Sequence, residues 1–196
     1  MSSSSQPSGE VPVVETARLR LRGHRIGDFN DCAAMWADPV VTCHIGGKPL
    51  SEEEAWARVL RYVGHWSWLG FGHLAVEEKA SGNFIGDLGF ADFKRDIRPS
   101  IQGIPELGWV LASRTHGKGY ATEAVRAAIA WGTAHFGSGQ TVCLIHPENL
   151  ASLRVAEKCG FQESLRTTYK GQPAILFART LTPCPRAHLV DTLSTG

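Results

Sequence analysis

The first part of the chain changes from a strand pattern to a helix pattern. Basic and apolar residues alternate over residues 16–22, which predicts a strand. Apolar residues then recur at helical spacing, and this predicts a helix that Asp28 caps and that continues to about Ala37. Pro39 follows, and because proline cannot continue a helix, it marks the helix end.

A second, longer helix is predicted after residue 50. Ser51 and Glu54 have the spacing of a capping box, in which each side chain bonds the backbone N–H of the other residue. Four apolar residues follow at helical spacing and predict the buried face of this helix: Trp56, Val59, Leu60 and Val63.

From Gly70 onward, apolar residues recur with a period of two, apart from two helical stretches. The predicted strands cover residues 72–77, 84–90, 106–111, 142–146, 162–169 and 174–180. The predicted helices cover residues 121–136 and 151–159, and Gly160 suits the left-handed residue that ends the second of them. Turns are predicted at 79–83 and 170–173.

This order of elements predicts a mixed α/β (α+β) fold in one domain. Only the middle strand–helix–strand segment needs a parallel pair of strands. Residues 13–181 fit a single domain. Residues 1–12 and 182–196 are rich in serine, threonine and proline, and are predicted to be tails.

Composition excludes several classes of protein. The formal net charge of the 196 residues is +1, so neither a nucleic acid nor an anionic membrane is expected as a partner. No stretch reaches about 20 apolar residues and no apolar signal segment follows the first methionine, which predicts a cytoplasmic protein. The five cysteines are widely spaced and form no Cys-x-x-Cys pair, so neither disulfides nor a metal is expected.

The densest chemical signal lies between the strand 106–111 and the helix 121–136. Residues 114–121 read Arg-Thr-His-Gly-Lys-Gly-Tyr-Ala. The two glycines, Gly117 and Gly119, let backbone N–H groups converge in front of a helix N-terminus, which favours an anion such as phosphate. A simple tight turn is the alternative interpretation.

Two common nucleotide-binding patterns do not fit this segment. No Walker spacing is present, and Thr122 stands where a dinucleotide fingerprint has its third glycine. A dinucleotide-dependent oxidoreductase is therefore disfavoured, also because only one parallel crossover is predicted.

The segment resembles the acyl-CoA loop of the GNAT superfamily, the Gcn5-related N-acetyltransferases, whose pattern is Gln/Arg-x-x-Gly-x-Gly/Ala. Further segments match this superfamily in the same order along the chain, and the set looks most like its branch of ribosomal-protein N-terminal acetyltransferases (RimJ/RimL-like). These matching segments are 15–22, 85–89, 106–111, 149–152 and 157–161. The resemblance spans about residues 15–180.

The resemblance implies a GNAT-like fold and two substrates. The fold is a mostly antiparallel sheet of about six to seven strands with a splayed parallel pair, and about four helices. The substrates are acetyl-CoA and a primary amine, at a protein N-terminus or on a small molecule, with direct attack while both are bound. The pantetheine arm of acetyl-CoA would lie between the strands 106–111 and 142–146, and an amide N–H near Val110 or Leu111 would polarise the thioester.

The same resemblance implies which residues bind acetyl-CoA. They are Trp109, Val110, Leu111, Arg114, Thr115, His116, Gly117, Lys118, Gly119, Tyr120, Ala121, Asn149 and Ser152.

Glu106 and Ser152 are the implied catalytic residues. Glu106 begins its strand, where related enzymes often carry a carboxylate that acts as base; an ordinary strand-end carboxylate is the alternative. Ser152 can reach the thioester sulfur or simply occupy the first turn of its helix, which Asn149 can cap. Ala156 stands where many relatives have a tyrosine general acid, which leaves proton return to Ser152, to water or to the amine's own proton.

Several other residues lie near these segments. Asp87 is a second carboxylate with an expected structural role, and His73 and His146 are strand histidines near the expected site. Trp66 and Trp68 mark a place where an acceptor can be gripped. Two functions stay open at this point: an N-acetyltransferase, or a non-catalytic acyl-CoA-binding sensor. Either is expected as a monomer or a homodimer.

Overall fold

The computed structural model describes residues 10–182 of the chain. The predicted tails fall largely outside these residues, because positions 1–9 and 183–196 are not described. Val11, near the end of the predicted N-terminal tail, packs against the hydrophobic core beside Gly23. Within the described part, no helix is long and apolar enough to cross a membrane.

A single eight-stranded sheet organises the fold. Its strands are β1 (Val14–Glu15), β2 (Leu19–Arg22), β3 (His73–Glu78), β4 (Phe84–Ala91), β5 (Glu106–Leu111), β6 (Gly139–Ile145), β7 (Gln162–Tyr169) and β8 (Gln172–Leu181). They lie in the order β1-β2-β3-β4-β5-β6-β8-β7, and every neighbouring pair is antiparallel except β5 and β6. The predicted fold class is confirmed, with the two-residue β1 as an additional strand.

Five α-helices accompany the sheet. They are α1 (Phe29–Ala37), α2 (Pro39–Thr42), α3 (Glu52–Leu69), α4 (Tyr120–Phe136) and α5 (Leu150–Lys158). The prediction lacked α2, which begins where Pro39 ends α1. Proline suits the first turn of a helix, and the Asp38 side chain caps this turn by accepting the Val40 N–H at 2.8 Å.

Helices cover both faces of the sheet. On one face, α4 and α5 pack against a core that contains Leu21, Leu88 and Val125. On the other face, α1 and α3 pack against a core that contains Trp36 and Val110. Side chains of alternating strand residues therefore reach two separate apolar layers.

The buried face of α3 differs from the predicted one. Of the four predicted residues only Val59 is buried, whereas Trp56, Leu60 and Val63 are 38%, 51% and 49% exposed. The buried residues are Ala55, Val59, Tyr62 and Trp66. Both sets have helical spacing, so periodicity alone did not distinguish them.

The two tryptophans near the end of α3 do not form an acceptor site. Trp66 lies in the core, where its indole N–H donates to the carbonyl of His73 at 2.8 Å. Trp68 is 78% exposed and lines none of the cavities described below. The predicted acceptor grip at these residues is therefore wrong.

Strands β5 and β6 separate soon after they begin. The one residue pair between them joins Glu106 to Val142, and the Val142 N–H donates to the carbonyl of Pro105 at 3.2 Å. Beyond this pair β6 continues beside β8 alone. The predicted splayed parallel pair is thus confirmed.

The sequence pattern predicted that Asp28 caps α1, and this is wrong. The Asp28 side chain makes no capping bond and belongs to a buried ion network. Arg22 donates to both carboxylate oxygens of Asp28, at 2.7 and 2.8 Å, and to Glu77 at 2.7 Å. Burial alone would raise the pKa of Asp28, but the bonds from Arg22 and the Arg25 N–H lower it below its usual value. The pKa of Glu77 is lowered chiefly by the bond from Arg22. The guanidinium outcompetes the helix N–H groups for this carboxylate.

Replacing Arg22 by methionine is expected to lower the free energy of unfolding by about 3 kcal/mol at pH 7, because the buried Asp28 loses its guanidinium partner and Glu77 keeps only its bond from Arg20. Both carboxyl pKa values are lower in the folded chain than in the unfolded one, so the network stabilises the fold above about pH 4 and this contribution is lost at more acid pH. Urea titrations of the unaltered protein and of Arg22→Met should therefore show a smaller difference in the free energy of unfolding at pH 3 than at pH 7. The exposed pair of Arg166 and Glu163 gives a control, since Arg166→Met should change little.

Candidate functional site

The splay between β5 and β6 opens two adjoining cavities. The first, called here the loop cavity, has a volume of about 510 Å³ and lies against residues 115–122, the first turns of α5 and the end of α2. The second, called the arginine cavity, has a volume of about 430 Å³ and lies against α3, β5, β6 and the turn after β7. Six residues line both cavities and form a shared wall: His44, Ile45, Trp109, Val110, Asn149 and Ser152.

The backbone of the glycine loop forms one end of the loop cavity. Gly117 and Gly119 have φ angles of 76° and 79°, in the left-handed region that glycine enters at least cost. Gly119 precedes α4 and no side chain caps this helix. The first bond of the helix runs from the Glu123 N–H to the Gly119 carbonyl, so the N–H groups of residues 120–122 have no partner within the helix. This arrangement suits an anion.

The open edge of β5 forms the next part of the loop cavity. Ala112 donates its N–H to Ile85 on β4, and in an antiparallel pair the direction of these bonds alternates from residue to residue. The Val110 N–H therefore points to β4, whereas the N–H groups of Trp109 and Leu111 point to the gap beside β6. Of the two amides predicted to polarise a thioester, Leu111 has the suitable direction and Val110 does not.

Most of the predicted acetyl-CoA-binding residues line the loop cavity, but two do not. The Arg114 guanidinium instead donates to the carbonyl of Phe84 at 2.7 Å. Lys118 is exposed, and its carbonyl accepts a bond from Arg18 at 2.9 Å. Residues 154 and 158 on α5, an arginine and a lysine, line the cavity in their place, and the sequence analysis missed them.

Two side chains of the predicted loop form hydrogen bonds to backbone carbonyls at the end of β5. The Thr115 hydroxyl donates to the carbonyl of Ala112 at 2.6 Å, and the His116 Nε2 bonds the carbonyl of Leu111 at 2.9 Å. These bonds fix the loop to the end of β5. The contribution of this segment to an anion site therefore comes from its backbone.

Asn149 and Ser152 lie at the start of α5, beside both cavities. The Asn149 Oδ1 accepts the Ser152 N–H at 3.0 Å, so Asn149 caps the helix, and the residue also lines the shared wall. Ser152 lines both cavities. Ala156, one turn later, is fully buried in the core and lines neither, so this position offers no place for a general acid.

Glu106 lies in the arginine cavity at the start of the splay, and its carboxylate forms a two-bond ion pair with Arg95. The Arg95 Nε and Nη2 donate to its two oxygens at 2.5 and 2.6 Å. Glu106 is 4% exposed. A carboxylate has about four acceptor positions, so two remain for a proton or a water molecule.

Cationic side chains dominate the arginine cavity. Arg58, Arg61, Arg95 and Lys170 line it, and Glu106 is its one carboxylate among residues 10–182. The Arg58 guanidinium lies 3.9 Å from the ring of Trp36, and the Arg61 guanidinium 5.0 Å from the ring of Phe93. No sequence motif marked these residues, because they come together from separate elements.

His73 also lines this cavity, as expected, and is 5% exposed. Its ring stacks on that of Tyr62, with centroids 4.3 Å apart. Burial, followed by nearby cationic groups, lowers the pKa of His73 well below its usual value. His73 is therefore a neutral imidazole at ordinary pH.

Asp87 lies behind the cavity and has the structural role predicted for it. It is fully buried and accepts bonds from the His24 Nε2 at 2.6 Å and from the Trp36 indole N–H at 3.3 Å. It lines neither cavity. Its bond from the indole N–H holds the ring of Trp36, and the Arg58 guanidinium lies over this ring.

A third group of polar side chains borders the shared wall. Potential ligand atoms of His44, His146 and Glu148 lie within 4.8 Å of one another, and the two imidazole rings stack at 5.5 Å. The His146 Nδ1 accepts the Glu148 N–H at 3.2 Å. His146 lines the arginine cavity, as expected, and His44 adds an imidazole to the shared wall that the sequence analysis did not identify.

Comparison with known proteins gives one family. A family model described as an acetyltransferase (GNAT) domain matches residues 18–162. The uncharacterized protein YkkB of Bacillus subtilis (strain 168) is 35% identical over 170 residues, which cover 84% of this chain and 93% of YkkB.

Solved structures show the same fold. A protein described as a GnaT-family acetyltransferase from Bordetella pertussis has a TM-score of 0.75 at 31% identity, over 86% of this chain and 99% of that one. RimL, a ribosomal L7/L12 alpha-N-protein acetyltransferase solved with coenzyme A, has a TM-score of 0.69 at 14% identity, over 87% of this chain and 98% of that one. The likeness to RimL concerns the fold.

Proposed function

The chain belongs to the GNAT family of acetyltransferases and is thus an acyltransferase, and we propose that it transfers the acetyl group of acetyl-CoA to a primary amine. Transfer is direct, with both substrates bound, and takes place in the cytoplasm. The wall that the two cavities share carries this proposal, since a donor in one cavity can meet an acceptor in the other without leaving the protein.

The loop cavity has the groups that acetyl-CoA needs. The N–H groups at the start of α4 bind the pyrophosphate, and Arg154 and Lys158 add positive charge. The open edge of β5 at Trp109 and Leu111 binds the pantetheine arm through backbone bonds, and Asn149 supports it from α5. When bound, acetyl-CoA supplies a thioester whose carbonyl carbon reacts with amines.

The shared wall and its neighbours supply the proton transfers. The Leu111 N–H donates a hydrogen bond to a carbonyl oxygen in the gap, as an oxyanion site requires. Glu106 accepts the proton of the amine, directly or through a water molecule, with the acceptor positions that Arg95 leaves free. The Ser152 hydroxyl, on the wall, donates a hydrogen bond to the departing sulfur, and the proton that Glu106 took from the amine returns to this thiolate through water.

Release of free thiol from acetyl-CoA tests this proposal. A panel of peptides and small primary amines is expected to accelerate thiol release, with the acetylated amine confirmed by mass spectrometry. The Ser152→Ala variant should lose more in rate than in acetyl-CoA affinity, because it removes the hydrogen bond to the departing sulfur and leaves the backbone groups proposed for the pyrophosphate and the pantetheine arm. If acetyl-CoA binds and no amine accelerates thiol release, the chain is a sensor and the proposal of catalysis is wrong.

A further inference from the structure

The charges of the arginine cavity indicate what kind of amine it receives. Four cationic side chains and one carboxylate line it, and Arg95 already neutralises that carboxylate. Arg58 and Arg61 have no carboxylate within 4 Å among residues 10–182. A cavity lined by one sign of charge attracts the opposite sign.

Buried polar atoms in the same place have no partner within the protein. Both ring nitrogens of His73 and the Nε of Arg58 are buried and form no hydrogen bond to any described residue. Buried polar groups are nearly always bonded, so these atoms are available to bond a ligand. A Cβ added at Gly108 would lie 3.3 to 3.4 Å from the His73 ring, so the two residues are in contact, and both line the cavity.

The surrounding rings fix these groups. Trp36 supports the guanidinium of Arg58, Phe93 lies below those of Arg61 and Arg95, and Tyr62 stacks on His73. Positioned donors lose little freedom when a ligand binds. A neutral His73 offers one further N–H to an oxygen.

We propose that the acceptor is a small amine that also bears an anionic group, of which the carboxylate of an amino acid is the simplest, and that Arg58, Arg61 and His73 bind this group. This inference rests on the proposed acetyltransferase function and adds the chemical class of its acceptor. A polyamine is excluded by the same charges, because its second ammonium group would be placed among guanidinium groups.

Matched acceptors test the inference. Each of a set of α- and β-amino acids is compared with its own primary amide. Phosphoethanolamine and 1,3-diaminopropane are assayed separately as further acceptors. All acceptors are used at equal concentrations of unprotonated amine. We expect kcat/KM for the carboxylates to exceed that for the amides and the diamine by about 10- to 100-fold, the value of charge-assisted bonds. Preference for phosphoethanolamine would assign the anion as a phosphate.

Equal or better use of the amides or the diamine would overturn the anionic acceptor and leave the acetyltransferase function intact. Failure of every amine, including neutral ones, would contradict the acetyltransferase function itself. The two failures are therefore distinguishable in one assay.

Substitution of Arg61 gives the second test, because this side chain is the more exposed of the two arginines and its loss should not prevent folding. Arg61→Gln is expected to raise KM for the anionic acceptor about 10-fold and to leave KM for acetyl-CoA unchanged. Arg61→Glu should favour the diamine. Arg166→Gln, on exposed β7, is the matched control and should change neither constant. An unchanged acceptor KM in both Arg61→Gln and Arg58→Gln would refute the assignment.

Discussion

Replacing Gly117 and Gly119 together by glutamate is expected to weaken acetyl-CoA binding by at least about 100-fold. Both residues have left-handed φ angles, which cost other residues about 1–2 kcal/mol each. The two new carboxylates also lie beside the N–H groups that would bind phosphate, where negative charge repels the ligand. The strain displaces the loop from the conformation that would bind phosphate, and with the repulsion this is expected to cost about 3 kcal/mol, or 100-fold in affinity. Titration calorimetry with acetyl-CoA measures the change directly.

Gly82 provides the matched control for backbone strain. Its φ angle is 72°, and a Cβ added there meets no atom within 4 Å, as at Gly117. It lies in the turn between β3 and β4 and lines neither cavity. Gly82→Glu should therefore lower stability by about as much as one of the two substitutions and leave acetyl-CoA affinity unchanged. Undiminished affinity in the double variant would remove the glycine loop from the donor site.

The second large effect is expected for Glu106→Gln. A positioned base contributes about 100-fold or more to a rate, and the loss should be greatest at low pH, where most of the amine is protonated and must give up a proton. The measurement is kcat/KM against pH with a fixed acceptor. A profile that keeps its shape and position would show that Glu106 is not the base.

Arg95→Gln separates catalysis from structure. Both variants break the same buried ion pair, so thermal unfolding should show comparable losses of stability. Arg95→Gln keeps the carboxylate, and its pH profile should keep the limb that Glu106→Gln loses. Equal loss of rate in both variants, with no difference in pH profile, would assign Glu106 a purely structural role.

The fold could be predicted because its signals are local. The turn residues, the period of the strands and the capping box of α3 each depend on neighbours in sequence, and Ser51 and Glu54 form that capping box at 2.8 and 3.2 Å. The turn between β7 and β8 also depends on neighbouring residues. Lys170 and Gly171 both have positive φ angles, as a two-residue turn between strands requires.

The direction of individual side chains could not be predicted in the same way. Helical spacing on α3 allowed two apolar faces, and the choice depended on which residues the sheet covers. Tyr62 was not among the residues of the predicted buried face, so its contact with His73 was not predicted. Likewise Arg114 and Lys118 belong to the predicted loop but do not line the cavity. Arg114 bonds a carbonyl on β4, and Lys118 is exposed to solvent.

Backbone predictions at the site fared better than side-chain predictions. The loop, the open edge of β5 and the first turn of α5 all lie where the sequence placed them, because each depends on strand order and on glycine positions. The cationic lining combines α3, the segment before β5 and the turn after β7. These are distant in sequence, and only the folded chain brings them together.

The splay has a consequence for how this enzyme can be altered. Residues that contact only the loop cavity come from the end of β5, from the loop and helix turn that follow it, and from residues 148–158, apart from a few around α2, whereas the cationic lining comes from other elements. In the proposed function, recognition of the acetyl donor and choice of acceptor therefore depend on largely different stretches of the chain. The proposal thus predicts that exchanging the cavity-lining residues of α3 and of the β7–β8 turn changes the acceptor specificity and leaves acetyl-CoA binding as it is.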